Sequence, residues 1–221
     1  RQRAAYRSTG SGPLASNLAE VGAMLGAVEL AGATSDEAAA TPRIQYHVTP
    51  THYLKYPVLR VASDCMSIAI TPLHPASRGR LRLIGAADNL RLAIDPQYLS
   101  AASDLDDFVA AYDWIAEALA GSELRSLVAR TLIPAERRSD ATGLVRSVRA
   151  MAQSIYHPVG TCRAGQDARA VVDDQFCVKG VQGLRIADAS VLPDLPSGNS
   201  CAATLIMAEL AATMLLASRR G

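Results

Sequence analysis

Between Ile44 and Ile84 the chain repeatedly alternates apolar and polar side chains, and this pattern most limits what it can fold into. Ile44-Gln-Tyr-His-Val-Thr49, Met66-Ser-Ile-Ala-Ile-Thr71 and Arg80-Leu-Arg-Leu-Ile84 each place apolar groups at every second position. An extended chain sends successive side chains to opposite faces, so such segments need a core on one side only. Pro72–Gly79, rich in Pro, Ser and Gly, suits a reversal between the last two. These three segments predict an antiparallel sheet with one solvated face. From Asp104 the period lengthens. Leu105, Phe108, Val109, Tyr112, Ile115, Ala116 and Leu119 recur at helical spacing, with Asp104 as the expected N-cap and Gly121 as the stop. Further helices are predicted over Gly143–Ser154 and from about Ser200 to Ala217, with a short strand at Leu184–Ala187. Asn17–Leu25 fits a helix or a strand equally, and Ser8–Leu14, Gly32–Thr41 and Gly165–Asp174 read as loops. The expected fold class is α+β: an antiparallel sheet covered by helices.

At 221 residues the chain is long enough for one domain, or one and a half. Its 22 Lys+Arg against 21 Asp+Glu leave a net charge of +1, without the basic footprint that nucleic acid or an anionic membrane selects. The apolar stretch Ala202–Ala217 is interrupted by Glu209 and reads as a buried helix rather than a membrane span. The expectation is a soluble, cytoplasmic protein with no nucleic-acid partner. Cys65, Cys162, Cys177 and Cys201 form no CxxC pair, no His pair has zinc-ligand spacing, and reduced buried thiols with no metal are expected. The chain starts Arg1-Gln2-Arg3 without Met, as a processed chain or part of a longer one would.

Gly10-Ser-Gly12-Pro-Leu-Ala15 has the spacing of a dinucleotide-binding loop, but no convincing strand precedes it, so it is set aside. His47 lies in an alternating segment, His52 in a turn and His74 beside Pro75; all three read as structural or surface residues. His157 differs, because Pro158 and Gly160 fix the backbone just after it. A side chain aimed by a rigid turn suits a positioned proton acceptor. Pro196-Ser-Gly-Asn199 precedes the last helix, where Asn199 reads as an N-cap. A helix start also offers free N–H groups and a positive dipole end to any negative charge nearby.

Taken in order, several motifs closely resemble the C-terminal region of the glucose–methanol–choline (GMC) flavin oxidoreductases. They are Tyr156-His-Pro-Val-Gly-Thr-Cys-Arg163, Val171-Val-Asp173, Gly183-Leu-Arg-Ile-Ala-Asp188-Ala-Ser-Val-Leu-Pro193 and Pro196-Ser-Gly-Asn199. Gly12-Pro-Leu14, Ser77-Arg-Gly79 and Asp95-Pro-Gln-Tyr-Leu99, with Asp104-Leu105, extend the resemblance upstream. It implies oxidation of an alcohol with FAD as cofactor: a base takes the hydroxyl proton while hydride passes to flavin N5. By resemblance His157 is the principal base and Asn199 the second active-site residue. Asp188 and Ala189 would touch the cofactor from a strand returning to the FAD domain. Amides at Asn199, Ser200 and Cys201 would lie along the pyrimidine edge of the flavin.

Two departures bear on the substrate. Arg163-Ala164-Gly165 lacks the Met the family usually has, and Cys201 stands where a second Asn is common. The family's FAD-binding half is not within these residues. The resemblance therefore implies a substrate-binding domain over 1–183 and, over 184–221, a strand and helix completing an FAD domain, the remaining partner being the FAD-binding half of the same enzyme. The segment from Leu184 onward should then lack a closed core of its own. The alternative is a non-catalytic remnant that binds a small ligand or partner. Aromatic residues are only 5% of the chain, which disfavours a cation–π cage for a quaternary ammonium.

Overall fold

A computed structural model describes residues 2–12, 15–16, 19–26, 30, 41–50, 65–134 and 141–218. The loop expected at Gly32–Thr41 lies almost wholly outside them, His52 entirely so, and the Gly10–Ala15 and Gly12-Pro-Leu14 motifs in part. The described elements are α1 (Gln2–Thr9), β1 (Val21–Leu25), β2 (Ile44–Thr49), β3 (Ser67–Pro72), β4 (Arg80–Ile84), β5 (Arg91–Asp95), α2 (Ala102–Ala120), α3 (Ala141–Met151) and α4 (Cys201–Ser218). They fall into two compact units, Arg1–Pro72 with Ala102–Ala152, and Leu73–Ala101 with Gln153–Gly221.

In the first unit β2 is the centre of a three-stranded antiparallel sheet, with Ile44 opposite Leu25 on β1 and Pro72 on β3. β1 resolves the ambiguity of Asn17–Leu25 in favour of a strand. It also explains Gly22, since a Cβ there would come within 2.9 Å of the Tyr46 carbonyl oxygen on the neighbouring strand. Ile44, Tyr46, Ile68, Ile70 and Leu25 share one face and pack with Ala111, Trp114 and Ile115 of α2. Tyr46 is 1% exposed, stacks on Trp114 at 5.6 Å between ring centroids, and donates its hydroxyl to the Ala111 carbonyl at 2.8 Å. α3 packs on α2.

Two expectations need correction here. α2 starts at Ala102, so Asp104 is not its cap but a buried residue of the first turn, where a carboxylate suits the positive end of the helix. The sheet does not leave one face of β2 in solvent: Gln45 and Thr49, opposite the core face, are also buried.

In the second unit β4 pairs antiparallel with β5 and does not join the first sheet. Gly85 at φ +105° and a bond from Asn89 N–H to the Ala86 carbonyl (2.9 Å) reverse the chain directly after β4. The adjacent β5 is therefore its nearest partner, and it was missed in the sequence. The core of this unit is Val172, Phe176, Val191 and Ala211, with Ile186, Met207 and Met214 packed against it. The strand expected at Leu184–Ala187 is only a bridge between Arg185 and Cys177, with Ile186 N–H bonding Phe176 O at 3.1 Å. Gly183 at φ +74° before it and the Asp188 turn after it leave too few extended residues for a ladder.

α4 corrects the reading of a buried helix too short to span a bilayer. It is 18 residues long with a mean hydropathy of 1.7, enough by length and composition to cross a membrane. Along it only Ala211 is buried; Leu205, Ile206, Leu210, Leu215 and Leu216 are exposed. The buried apolar residues of 184–217, Val191 and Ala211, pack in a core shared with Val172 and Phe176. The four cysteines are free, but none is buried, and Cys201 is exposed.

Candidate functional site

The site is assembled from the loop before α4 and the turn around His157. Tyr156 (φ +68°) and Gly160 (φ +84°) both adopt left-handed backbone, flanking His157 and Pro158. An L side chain at Tyr156 is strained in that conformation, and Tyr156 N–H anchors it by donating to Ser154 Oγ at 2.8 Å. Beyond the turn, Cys162 N–H bonds Ser190 O (3.0 Å) and Ala164 N–H bonds Val191 O (2.9 Å). The turn is thereby tied to the single 3₁₀ turn Ala189–Val191, whose Val191 is fully buried in the core that also receives Ala211 of α4. Packing of α4 on that core places its start beside His157.

Three of the residues singled out in the sequence meet there. The Asn199 amide nitrogen lies 2.9 Å from His157 Nε2, and Ser200 Oγ lies 2.9 Å from His157 Nδ1. An amide nitrogen only donates, so Nε2 accepts from it and carries a lone pair. The ring hydrogen is then on Nδ1 and is donated to Ser200 Oγ. His157 is half-buried, Asn199 exposed and Ser200 buried. Asn199 is not the helix cap as expected. α4 begins at Cys201, the cap position falls on Ser200, and the Asn199 side chain turns to the imidazole instead.

The first intrahelical bond of α4 runs from Thr204 N–H to Ser200 O at 2.9 Å, so the amides of Cys201, Ala202 and Ala203 have no acceptor within the helix. They follow Asn199 and Ser200 directly in the chain.

Asp188 and Ala189 are not in a strand. Asp188 caps the 3₁₀ turn, accepting from Ser190 N–H at 2.8 Å. Hydrogen bonds from the Ser190 side chain and amide hold its carboxyl below the ordinary carboxylate range, against the opposing effect of partial burial. A group with a depressed folded pKa adds stability above its unfolded value, near 4, and loses it as pH falls further. Asp188→Ala should cost about 1 kcal/mol at neutral pH, the usual value of a cap. Urea unfolding at pH 7 and pH 3 checks it, with the difference between variant and parent shrinking at the lower pH.

The sequence did not single out Ser197. Its Oγ lies 3.1 Å from His74 Nε2, while Arg78 reaches Asp194 at 3.2 Å, so two residues of the Pro72–Gly79 segment hold the loop that carries Asn199. The Ser77-Arg-Gly79 motif was the available signal.

The site thus joins a helix start to a paired imidazole and carboxamide. Comparison with known proteins gives this arrangement a family. The GMC oxidoreductase profile matches residues 75–208. The chain is 34% identical to an alcohol dehydrogenase (acceptor) of Pseudomonas putida over 93% of its own length and 36% of the relative. It is equally identical to human mitochondrial choline dehydrogenase over 79% of its length and 30% of that protein. Among solved structures it resembles pyridoxine 4-oxidase from Mesorbium loti (29% identity, 78% of this chain and 34% of that one, TM-score 0.70). A formate oxidase of Aspergillus oryzae shares the fold at 20% identity over 99% of this chain and 41% of that one, with a TM-score of 0.85. The chain belongs to the GMC oxidoreductase family, and its mixed helix and antiparallel-sheet architecture is that of GMC substrate-binding domains. It spans about a third of the length of the curated relatives it matches.

Proposed function

We propose that this chain is the C-terminal part of an FAD-dependent oxidoreductase that oxidises an alcohol, with residues 1–183 serving its substrate-binding half and 184–221 returning to its FAD-binding half. The observation that carries this reading is the 2.9 Å contact of His157 Nε2 with the Asn199 amide at the start of α4. FAD, when bound, would supply the hydride acceptor for the carbinol carbon. The chain's own residues fit it. The free amides at Cys201, Ala202 and Ala203, with Asn199 and Ser200 before them, suit the pyrimidine edge of a flavin, where reduction builds negative charge. Asp188 and Ala189 would contact the cofactor from the turn tied to the His157 segment.

In the free site the Asn199 amide donates to His157 Nε2. A substrate hydroxyl entering between them donates its proton to Nε2 and accepts from the amide, so one rearrangement of hydrogen bonds supplies both base and oxygen holder. As the alkoxide develops, the amide bond to it strengthens, which is the differential binding that lowers the barrier.

The test is anaerobic addition of short primary alcohols and choline to the full-length, flavin-loaded protein, followed by visible flavin absorbance. Bleaching is the expected result. A flavin that stays oxidised with every alcohol, while dithionite reduces it, would count against the reading. Asn199→Ala should slow the bleaching about 10²-fold, the cost of one preorganised donor to a developing oxyanion, and stopped-flow reduction rates check it.

A further inference from the structure

We propose that the Ser200 hydroxyl is a positioning group for His157, holding the Nδ1 side of the ring so that Nε2, whose lone pair is selected by the Asn199 amide, stays aimed at substrate. This deepens the function proposed above and rests on it. Ser200 occupies the cap position of α4, where a serine hydroxyl ordinarily accepts from an amide of the first helical turn. Here, among the described residues, the hydroxyl is bonded to His157 Nδ1 at 2.9 Å instead. The residue is 6% exposed, so water does not readily replace that bond.

Its backbone is fixed as well. The Ser200 carbonyl accepts both Thr204 N–H (2.9 Å) and Thr204 Oγ–H (2.8 Å), which locks the first turn under the hydroxyl. Two consecutive residues of one loop therefore clamp the two ring nitrogens. Asn199 donates to Nε2, and Ser200 accepts from Nδ1. The reverse tautomer would set a ring N–H against an amide N–H, two donors with nothing to accept between them. A neutral hydroxyl also orients the ring without placing a carboxylate charge beside it, which sets this arrangement apart from the aspartate-held histidine of hydrolytic triads.

The experiment uses full-length protein labelled with ¹⁵N-histidine, the His157 ring signals being assigned by their loss in His157→Ala. In the parent protein Nδ1 should show the protonated nitrogen shift and Nε2 the aprotic one. Ser200→Ala should leave Nε2 aprotic, because the Asn199 amide still donates there, but shift the Nδ1–H signals as their hydrogen bond is lost, and lower kcat about 10-fold with KM little changed, as loss of a partner that orients an imidazole does. Ser200→Thr, which keeps a hydroxyl, should retain the parent ring pattern and most of kcat. Hydrogen on Nε2 in the parent, or a Ser200→Ala protein whose Nδ1–H signals or kcat match the parent's, would overturn the proposal. Failure of the underlying function shows differently: His157→Ala would then oxidise alcohols normally while the tautomer pattern stayed as described.

Discussion

On the proposed function, His157→Ala should lower kcat for alcohol oxidation by roughly 10²–10⁴ in the full-length protein, the range a positioned base contributes. The geometry gives the reason. Nε2 faces the amide of Asn199 and is the ring atom with a lone pair, and the ring is held by a buried hydroxyl on its other side. Removing the imidazole takes away the proton acceptor and the hydrogen bonds that Asn199 and Ser200 make to it. KM should change less than kcat, because the proton is transferred only as the barrier is crossed. Flavin absorbance should survive, since the amides at the start of α4 belong to a helix fixed by Ala211 and Val191 rather than by His157. Added imidazole should restore part of the lost rate. A variant retaining full kcat would mean that another group accepts the proton.

The local turn around His157 was legible in the sequence, because Pro158 and Gly160 reveal constrained backbone wherever they occur. Its partners were not legible from spacing. Asn199 and Ser200 lie 42 and 43 residues further on, and only their order within a family-like run of motifs tied them to His157. Local rules then misassigned one side chain: Asn199 had the chemistry of a cap, yet its amide serves the imidazole. β2 and β4 were predicted at their observed limits because their alternation is strict. β5 is as long as β4 and alternates too, with Leu92 and Ile94 between Arg91 and Asp95, so its pattern was equally readable. α4 shows where pattern reading fails for a physical reason. Met207, Ala211 and Met214 form the stripe that meets the core, at spacings of four and three. Leu205, Ile206, Leu210 and Leu216 are equally apolar and exposed, so no periodicity could pick the buried side. A helix apolar all round has more than one face to cover, and this chain covers one.

Tyr46→Ala destabilises the first unit by about 3–5 kcal/mol, the cost of emptying a large aromatic site in a packed core. Tyr46 is fully enclosed by the sheet and α2 and joins them twice, by ring contact with Trp114 and by the hydroxyl bond to Ala111 O. Tyr46→Phe separates the two contributions. It keeps the ring and loses one hydrogen bond, for about 1 kcal/mol. Trp114 is the only tryptophan in the chain and lies against the altered residue, so urea unfolding read by its fluorescence reports this core directly. The same phenol predicts a pH dependence. Burial pushes its pKa up to about 12, and the neutral hydroxyl is the form that can donate to Ala111. A raised folded pKa means the folded state holds its proton longer than the unfolded chain, whose tyrosine ionises near 10. The stabilisation is therefore complete below about pH 10 and declines as pH rises toward 12. Tyr46→Phe should flatten that decline, and a Phe variant that loses stability as steeply as the parent would show that the alkaline transition belongs to another group.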